Sequence, residues 1–229
     1  MATGGPDGQG GPHVFVRDVH VPVVAAEDHH HLAKSLRLRD GDPLTVSDGQ
    51  GKWRECLFGE QVEPTGEVIV ATPSPYPVAV GFALIKGGRP ELVVQKLTEL
   101  GVDTIVAFEA RHSVVRWNEA KRTANVERWR KVAREASMQC RRVFLPDVQP
   151  VADLGELLAA GAVLADRDGQ HPLAEARFVL IGPEGGWHVD ERNGAPAVHL
   201  GDQVLRAETA AITAGVLTTA IRSGIVSSN

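Results

Sequence analysis

The chain has 229 residues, room for one large domain or for one medium and one small domain. An apolar fraction of 43% supports a real core, and no apolar run approaches the roughly 18 residues of a membrane span. The net charge of −5 excludes a uniformly basic nucleic-acid binder. The two distant cysteines, Cys56 and Cys140, lack metal-ligand spacing and fit a reducing cytoplasm.

Residues 1–12 are Gly-rich and polar and read as a disordered tail, with no basic region and apolar stretch of a signal peptide. His13–Val16 and Val19–Val24 alternate enough to be strands. Glu27–Leu38 (EDHHHLAKSLRL) reads as a helix. Its adjacent His29, His30 and His31 diverge on any regular backbone and cannot all face one ion, so no metal is expected. Asp40–Asp42 and Asp48–Gly51 are turn signals. Leu44–Val46, Trp53–Phe58 and Glu67–Ala71 look like strands of a small barrel. The Pro-rich Thr72–Pro77 is the best domain boundary. Val78–Ile85 is an apolar strand ending at Lys86-Gly87-Gly88. Pro90 suits the first turn of a helix over Glu91–Leu100, Gly101 caps it, and Thr104–Phe108 is the next strand. Strand–helix–strand order argues for a parallel sheet.

Between Arg111 and Arg142 ten Lys/Arg face three Glu, a concentration that suits RNA phosphates and that also suits a solvated helix face. Val126, Trp129, Val132, Ala133 and Ala136 mark the inner face of that helix. Leu154–Leu158 reads as a short helix and Ala162–Asp166 as a strand. Two further apolar runs, Phe178–Ile181 and Val198–Leu200, each end in a glycine-containing loop, as buried parallel strands do. Gly182, Gly185 and Gly186 are expected to take positive φ and let backbone approach a ligand, with Pro183 stiffening the turn. Leu205, Arg206 and Glu208 lie between Gly201 and an Ala/Thr-rich helix over Glu208–Ile221. Two strand-end loops at one sheet edge make a natural small-ligand site, although GPEGG alone is equally a tight turn.

The pair IGPEGGW and LGDQVLRAETA closely resembles the C-terminal signature of the RsmE family. HHLAKSLRLRDGDPLTVSDGQG resembles that family's N-terminal PUA-like domain, with His13 where an arginine is usual. IKGGRPELVVQKLTELGVDTIVAF resembles the start of its catalytic domain through Lys86, Gln95, Lys96, Glu99, Leu100 and Gly101. EASMQCRR matches through Glu135, Ala136, Gln139 and Arg142. The resemblance runs from His13 to Ile225. It implies a SPOUT-class α/β methyltransferase with a parallel sheet and a C-terminal deep trefoil knot. The implied layout is a tail (1–12), a PUA-like RNA-binding β-barrel (13–72), a linker (73–77) and the methyltransferase domain with its knot (78–229). The implied reaction is methylation of ring nitrogen 3 of one uridine in 16S rRNA or the small ribosomal subunit, using S-adenosyl-L-methionine, by a cytoplasmic homodimer joined through the knot domain. Neither metal nor membrane is implied.

By the same resemblance the cofactor rests on backbone groups of Leu180, Ile181, Gly182, Gly185, Leu200, Gly201, Val204, Leu205 and Arg206, with Asp166–Gln170 as the first of three loops. Arg37, Arg111, Arg130, Lys131, Arg134, Arg141 and Arg142 are the expected RNA contacts. Nitrogen 3 of uracil carries a proton that must leave before or during attack. Arg206 is the candidate for stabilising the anion, and Glu184 or Glu208 for taking the proton. Glu208 also suits a helix N-terminus, and Glu184 an anchoring role. Two alternatives stand beside this: a SPOUT enzyme with another base or a ribose target, and a non-catalytic PUA-containing ribosome-assembly factor.

Overall fold

The computed structural model describes residues 4–8, 10–86, 89–192 and 194–226. The chain forms two compact units. One contains the residues up to Pro75 together with Arg134–Leu145, and the other contains Tyr76–Ala133 and the chain from Pro146 onward.

The first unit holds β1 (His13–Phe15), α1 (Ala26–Lys34), β2 (Pro43–Ser47), β3 (Lys52–Leu57), β4 (Glu63–Pro64) and β5 (Ile69–Val70). They form one sheet in the order β1-β2-β3-β4, with β5 also on β3. Only β1 and β2 run parallel. Asp48 makes the β2–β3 turn, its Oδ1 accepting from the amides of Gln50 (2.7 Å) and Lys52 (3.1 Å), with Gly49 at φ 73°. Val14, Leu32, Leu44, Val46, Cys56 and Phe58 fill the core.

Three expectations change here. Val19–Val24 is not a strand: Pro22 has no N–H for a ladder, and Val21 and Val23 are 69% and 76% exposed. The first helix stops at Lys34, short of Leu38, and Arg37 has left-handed backbone at φ 58°. The stretch read as a disordered tail is fastened near both ends. Trp53 Nε1 donates to the Gly4 carbonyl, and the Thr45 amide donates to Pro12 at 2.8 Å; residues 1–3 and 9 of that stretch lie outside the described residues.

The second unit holds β6 (Ala79–Ala83), α2 (Arg89–Glu99), β7 (Thr104–Phe108), the part of α3 (Glu119–Gln139) up to Ala133, β8 (Asp147–Val148), α4 (Leu154–Ala159), β9 (Val163–Ala165), β10 (Phe178–Ile181), α5 (Val189–Arg192), β11 (Ala197–Val198) and α6 (Ala207–Arg222). Gly87 and Gly88 of the expected turn before α2 lie outside the described residues. All six strands are parallel, in the order β11-β9-β10-β6-β7-β8. Alternation along the strands covers both faces. Val80, Phe82, Ile105, Ala107, Val179 and Ile181 pack with residues of α2, α3 and α6. Ala83, Val106, Phe108, Leu164 and Leu180 pack with Leu154 and Leu157 of α4.

Local chemistry sets the helix ends. Gly101, at φ 84°, closes α2 by donating to Thr98 (3.0 Å), and Val102 donates to Leu97 (3.0 Å). Asp153 caps α4 through the Gly155 amide at 2.8 Å. The small residues of α6 permit close packing on α2: a Cβ at Gly215 would stand 2.6 Å from Leu97 Cδ2. Arg222 then secures the end of α6 to Asp103 and to the Gly101 carbonyl (2.9 Å). No helix among the described residues is long and apolar enough to cross a membrane.

Candidate active site

The carboxyl ends of β9, β10 and β11 open onto a cleft of about 280 Å³. It is lined by Ala165, Asp166, Arg167, Ile181–Glu184, Gly186, Trp187, His199–Gly201, Gln203–Leu205, Ala207 and Ala210. Its volume is near the lower end of small-molecule sites, roughly 300–1,000 Å³, and the edge is the one where parallel sheets bind ligands.

Trp187 braces this edge. Its Nε1 donates to the Ala165 carbonyl at 2.9 Å, and its ring stacks on Phe108, centroids 5.9 Å apart and 3° from parallel. The same ring covers Gly182, where a Cβ would come within 2.9 Å of it. One side chain thereby joins the ends of β7, β9 and β10. The loop after β10 closes through the Gly186 amide, which donates to Pro183 at 2.9 Å with Gly186 at φ 71°. His112 Nδ1 lies 3.1 and 3.2 Å from the Gly185 and Gly186 carbonyls; facing two acceptors, that nitrogen carries the proton. Of the three glycines expected at positive φ, only Gly186 takes it; at Gly182 a Cβ would clash with Trp187 at 2.9 Å, and at Gly185 it would press on His112 Cβ at 3.1 Å.

The facing loop, 199–206, is largely exposed. Leu200, Gly201, Val204 and Leu205 line the cleft, and their backbone N–H and C=O groups make no hydrogen bonds with the described residues, which leaves them free to meet a ligand. Apolar Ile181, Trp187, Leu200, Leu205, Ala207 and Ala210 supply the walls. A flat heteroaromatic ring with polar edges suits that combination. Arg192 ties the loop after β9 to α5, 3.1 Å from Asp166 and 3.5 Å from Asp168.

Charged groups stand at the rim. Arg89, the first residue of α2, lies 3.3 Å from Glu184 and 3.8 Å from Glu208. Arg206 precedes α6; it is exposed, and its side chain forms no hydrogen bond or ion pair with the described residues.

A family described as "RNA methyltransferase domain" matches residues 72–218, and one described as "RNA methyltransferase PUA domain" matches 24–58. The chain is 35% identical to the Mycobacterium bovis protein named ribosomal RNA small subunit methyltransferase E, over 86% of this chain and 87% of that one. The chain belongs to the ribosomal RNA small subunit methyltransferase E family. A Legionella pneumophila structure described as a methyltransferase in complex with the bound cofactor SAM superposes with a TM-score of 0.77 at 25% identity, over 91% of this chain and 96% of that one. The Neisseria gonorrhoeae methyltransferase E structure shares the fold at a TM-score of 0.72 and 22% identity, over 90% and 95% of the two chains.

Several residues picked from the family's signature meet in the cleft: Ile181, Gly182, Leu200, Gly201, Val204 and Leu205 line it, as does Glu184. The side chain of Leu180 packs in the core on the α4 face of the sheet, since neighbouring strand residues point oppositely, so only its backbone is offered to the cleft edge. Gly185 is set back against His112. Arg206 and Glu208 are not among the lining residues; Arg206 lies between Leu205 and Ala207, which are, and Glu208 follows Ala207. The sequence reading missed Trp187, His112 and Arg89 as working parts. Trp187 was visible at the end of IGPEGGW, whereas nothing local marks the other two.

Most expected RNA contacts are engaged within their own unit. Arg111 pairs with Asp190, Arg130 pairs with Glu127 and donates to the Val148 carbonyl at 3.1 Å, and Arg142 donates to Phe144 at 2.6 Å. Arg134 grips Asp28 with two nitrogens at 2.7 and 3.2 Å and lies over the Phe15 ring. Lys131 and Arg37 are exposed and make no such bond among the described residues. Exposed pairs hold by only about 0–1 kcal/mol and can exchange for phosphate; the Arg134–Asp28 pair, with Asp28 only 12% exposed, is a structural tie.

His13 is buried, with Nδ1 2.7 Å from Thr45 Oγ1 and Nε2 3.0 Å from Ser47 Oγ. Burial, aided by the Arg141 charge, pushes its pKa down to about 4. A neutral, enclosed imidazole makes no phosphate contact. His29 stacks on Phe58 and its Nε2 bonds the Gly59 carbonyl at 2.8 Å. Among the described residues no cluster of His, Cys, Asp or Glu is arranged to hold a metal ion.

Proposed function

We propose that the chain methylates ring nitrogen 3 of one uridine in 16S rRNA of the small ribosomal subunit. The enzyme is an S-adenosyl-L-methionine-dependent RNA methyltransferase. The single observation that carries the reading is the cleft at the ends of β9–β11, where apolar walls meet loop backbone that bonds to none of the described residues and where Arg206, with no side-chain partner among the described residues, stands beside it.

Those residues fit the cofactor. Ile181, Leu200, Leu205 and Ala210, which line the cleft, would flank the adenine, and the backbone of Gly182, Leu200, Gly201 and Leu205 would supply hydrogen-bonding groups for its edge. When bound, the cofactor supplies a methyl group on a sulfonium, which brings its own leaving group. The protein's task lies on the uridine. Arg206 presents a fixed positive charge to the ring, and its attraction is realised as negative charge develops there. Glu184 or Glu208 accepts the N3 proton. A base inside folded RNA has to turn outward to reach such a site.

The same reading makes the C-terminal segment a deep trefoil knot and joins two copies through the knot domain. It assigns 13–72 to RNA binding, 73–77 to a linker and 78–229 to catalysis, in the cytoplasm. Exposed Lys131 and Arg37, with the exchangeable pairs of Arg111 and Arg130, are the phosphate contacts this supports best. Nucleoside mass spectrometry of small-subunit rRNA from cells with and without the gene tests the reading. Loss of 3-methyluridine supports it, and loss of a ribose methylation instead overturns it.

A further inference from the structure

Arg89 gathers two carboxylates that come from different loops. Its Nη1 lies 3.3 Å from Glu184 Oε1 and its Nε 3.8 Å from Glu208 Oε1. The two glutamates differ in environment. Glu184 is 49% exposed, so its carboxylate is open to solvent. Glu208 is 14% exposed, and its Oε2 is shut off from solvent with no hydrogen-bond partner among the described residues. A buried carboxylate oxygen without a donor is costly and rare, and such atoms gather where chemistry needs an acceptor. Glu91 Oε2 is orphaned too, but none of its sequence neighbours lines the cleft. Glu208 lies between Ala207 and Ala210, which do, and shares its guanidinium with cleft-lining Glu184. It also sits in the first turn of α6, where the helix dipole favours negative charge.

Resting on the reading of the reaction as uridine N3 methylation, we propose that Glu208 accepts the N3 proton and that Arg89 is the positioning residue that holds it. Arg89 pairs with Oε1 across 3.8 Å and leaves Oε2 without a donor; Oε2 is covered in the free protein and takes the proton once the entering uridine uncovers it. The N3–H bond breaks, the proton bonds to Oε2, and the electron pair stays on the ring, spread over N3 and the two carbonyl oxygens. Arg206 faces that charge. Glu184 holds the rim and takes no proton. Neither Arg89 nor its bridging role follows from the family signature, because its partners lie 95 and 119 residues away in sequence.

The test compares the parent with Glu208→Gln, Glu184→Gln, Arg89→Met and Arg89→Lys, each with cofactor affinity by calorimetry, melting temperature and single-turnover methylation. Small subunits carrying uridine or 5-fluorouridine serve as substrates; fluorine makes N3 more acidic, so that substrate needs less help. Glu208→Gln is expected to lose roughly 10²–10⁴-fold in rate on uridine and to recover at least about tenfold on 5-fluorouridine. Its cofactor affinity and melting temperature should stay at parental values. Glu184→Gln, whatever rate it loses, should lose it equally on uridine and 5-fluorouridine, with no selective recovery on the more acidic base. Arg89→Met should lose rate without losing cofactor affinity, and Arg89→Lys should regain part of it. The proposal is overturned if Glu208→Gln matches the parent, or if it loses rate equally on both substrates together with cofactor affinity. A parent that binds cofactor yet makes no 3-methyluridine overturns the reaction reading itself, and the proposal with it.

Discussion

Replacing Arg206 with alanine separates catalysis from scaffold. In the free protein the side chain is exposed and bonds to no described residue. Its one structural duty is through the backbone, whose carbonyl accepts from the Ala210 amide at 2.8 Å, and alanine keeps that bond. The side chain caps nothing at the start of α6. The stability cost is therefore that of a surface change, within about 0.5 kcal/mol. The transition state is different: removing one preorganised donor from a developing anion costs about 3 kcal/mol, or two to three powers of ten in rate. Arg206→Ala should keep its melting temperature and its cofactor affinity by calorimetry, and lose about 10²–10³-fold in single-turnover methylation. Arg206→Lys should fall short of the parent, since an ammonium lacks the planar fork. A parallel fall in melting temperature, affinity and rate would refute this reasoning and make Arg206 part of the scaffold.

His13 makes the first unit acid-sensitive. With a pKa near 4 folded and 6.5 unfolded, the unfolded chain takes the proton first, so stability is complete above about pH 6.5 and is lost as pH falls toward 4. The span is worth about 3 kcal/mol, and urea unfolding should show the parent losing more than His13→Asn between pH 7.5 and about 5; parallel losses would contradict it. Gly182→Ala should push Trp187 off the Ala165 carbonyl, costing about 1–3 kcal/mol and weakening cofactor binding, as melting and calorimetry would report. Lys131→Ala should weaken RNA binding at low salt and flatten its salt dependence by about one contact. Arg134→Ala should instead lower the stability of the first unit, measured by urea unfolding, because it strips Asp28 of its bidentate partner.

Legibility followed the range of the interactions. β7 and β10 were readable to the residue, being unbroken apolar runs between turn signals. The two-residue strands β4 and β8 and the single-turn α5 carry too little pattern to register. Val19–Val24 alternated like a strand, yet Pro22 decided otherwise. The break between the units lies between Pro75 and Tyr76, inside the Pro-rich stretch; the assignment of Arg134–Leu145 to the first unit had no local signal, because α3 continues unbroken through Ala133. The cleft was legible because its loops are contiguous in sequence. What organises it was not: Trp187 reaches back 22 residues to Ala165, and Arg89 reaches 95 residues to Glu184. The basic segment was legible as charge, while its pairing with Glu91, Asp190 and Asp28 depends on the folded chain.

The most direct measurement takes purified protein, small ribosomal subunits from cells lacking the gene, and S-adenosylmethionine with an isotope-labelled methyl group. The rRNA is digested and its nucleosides are resolved by mass spectrometry. The account predicts one labelled 3-methyluridine per subunit and none with Arg206→Ala on the same timescale. Label on a ribose hydroxyl or on another base would contradict it.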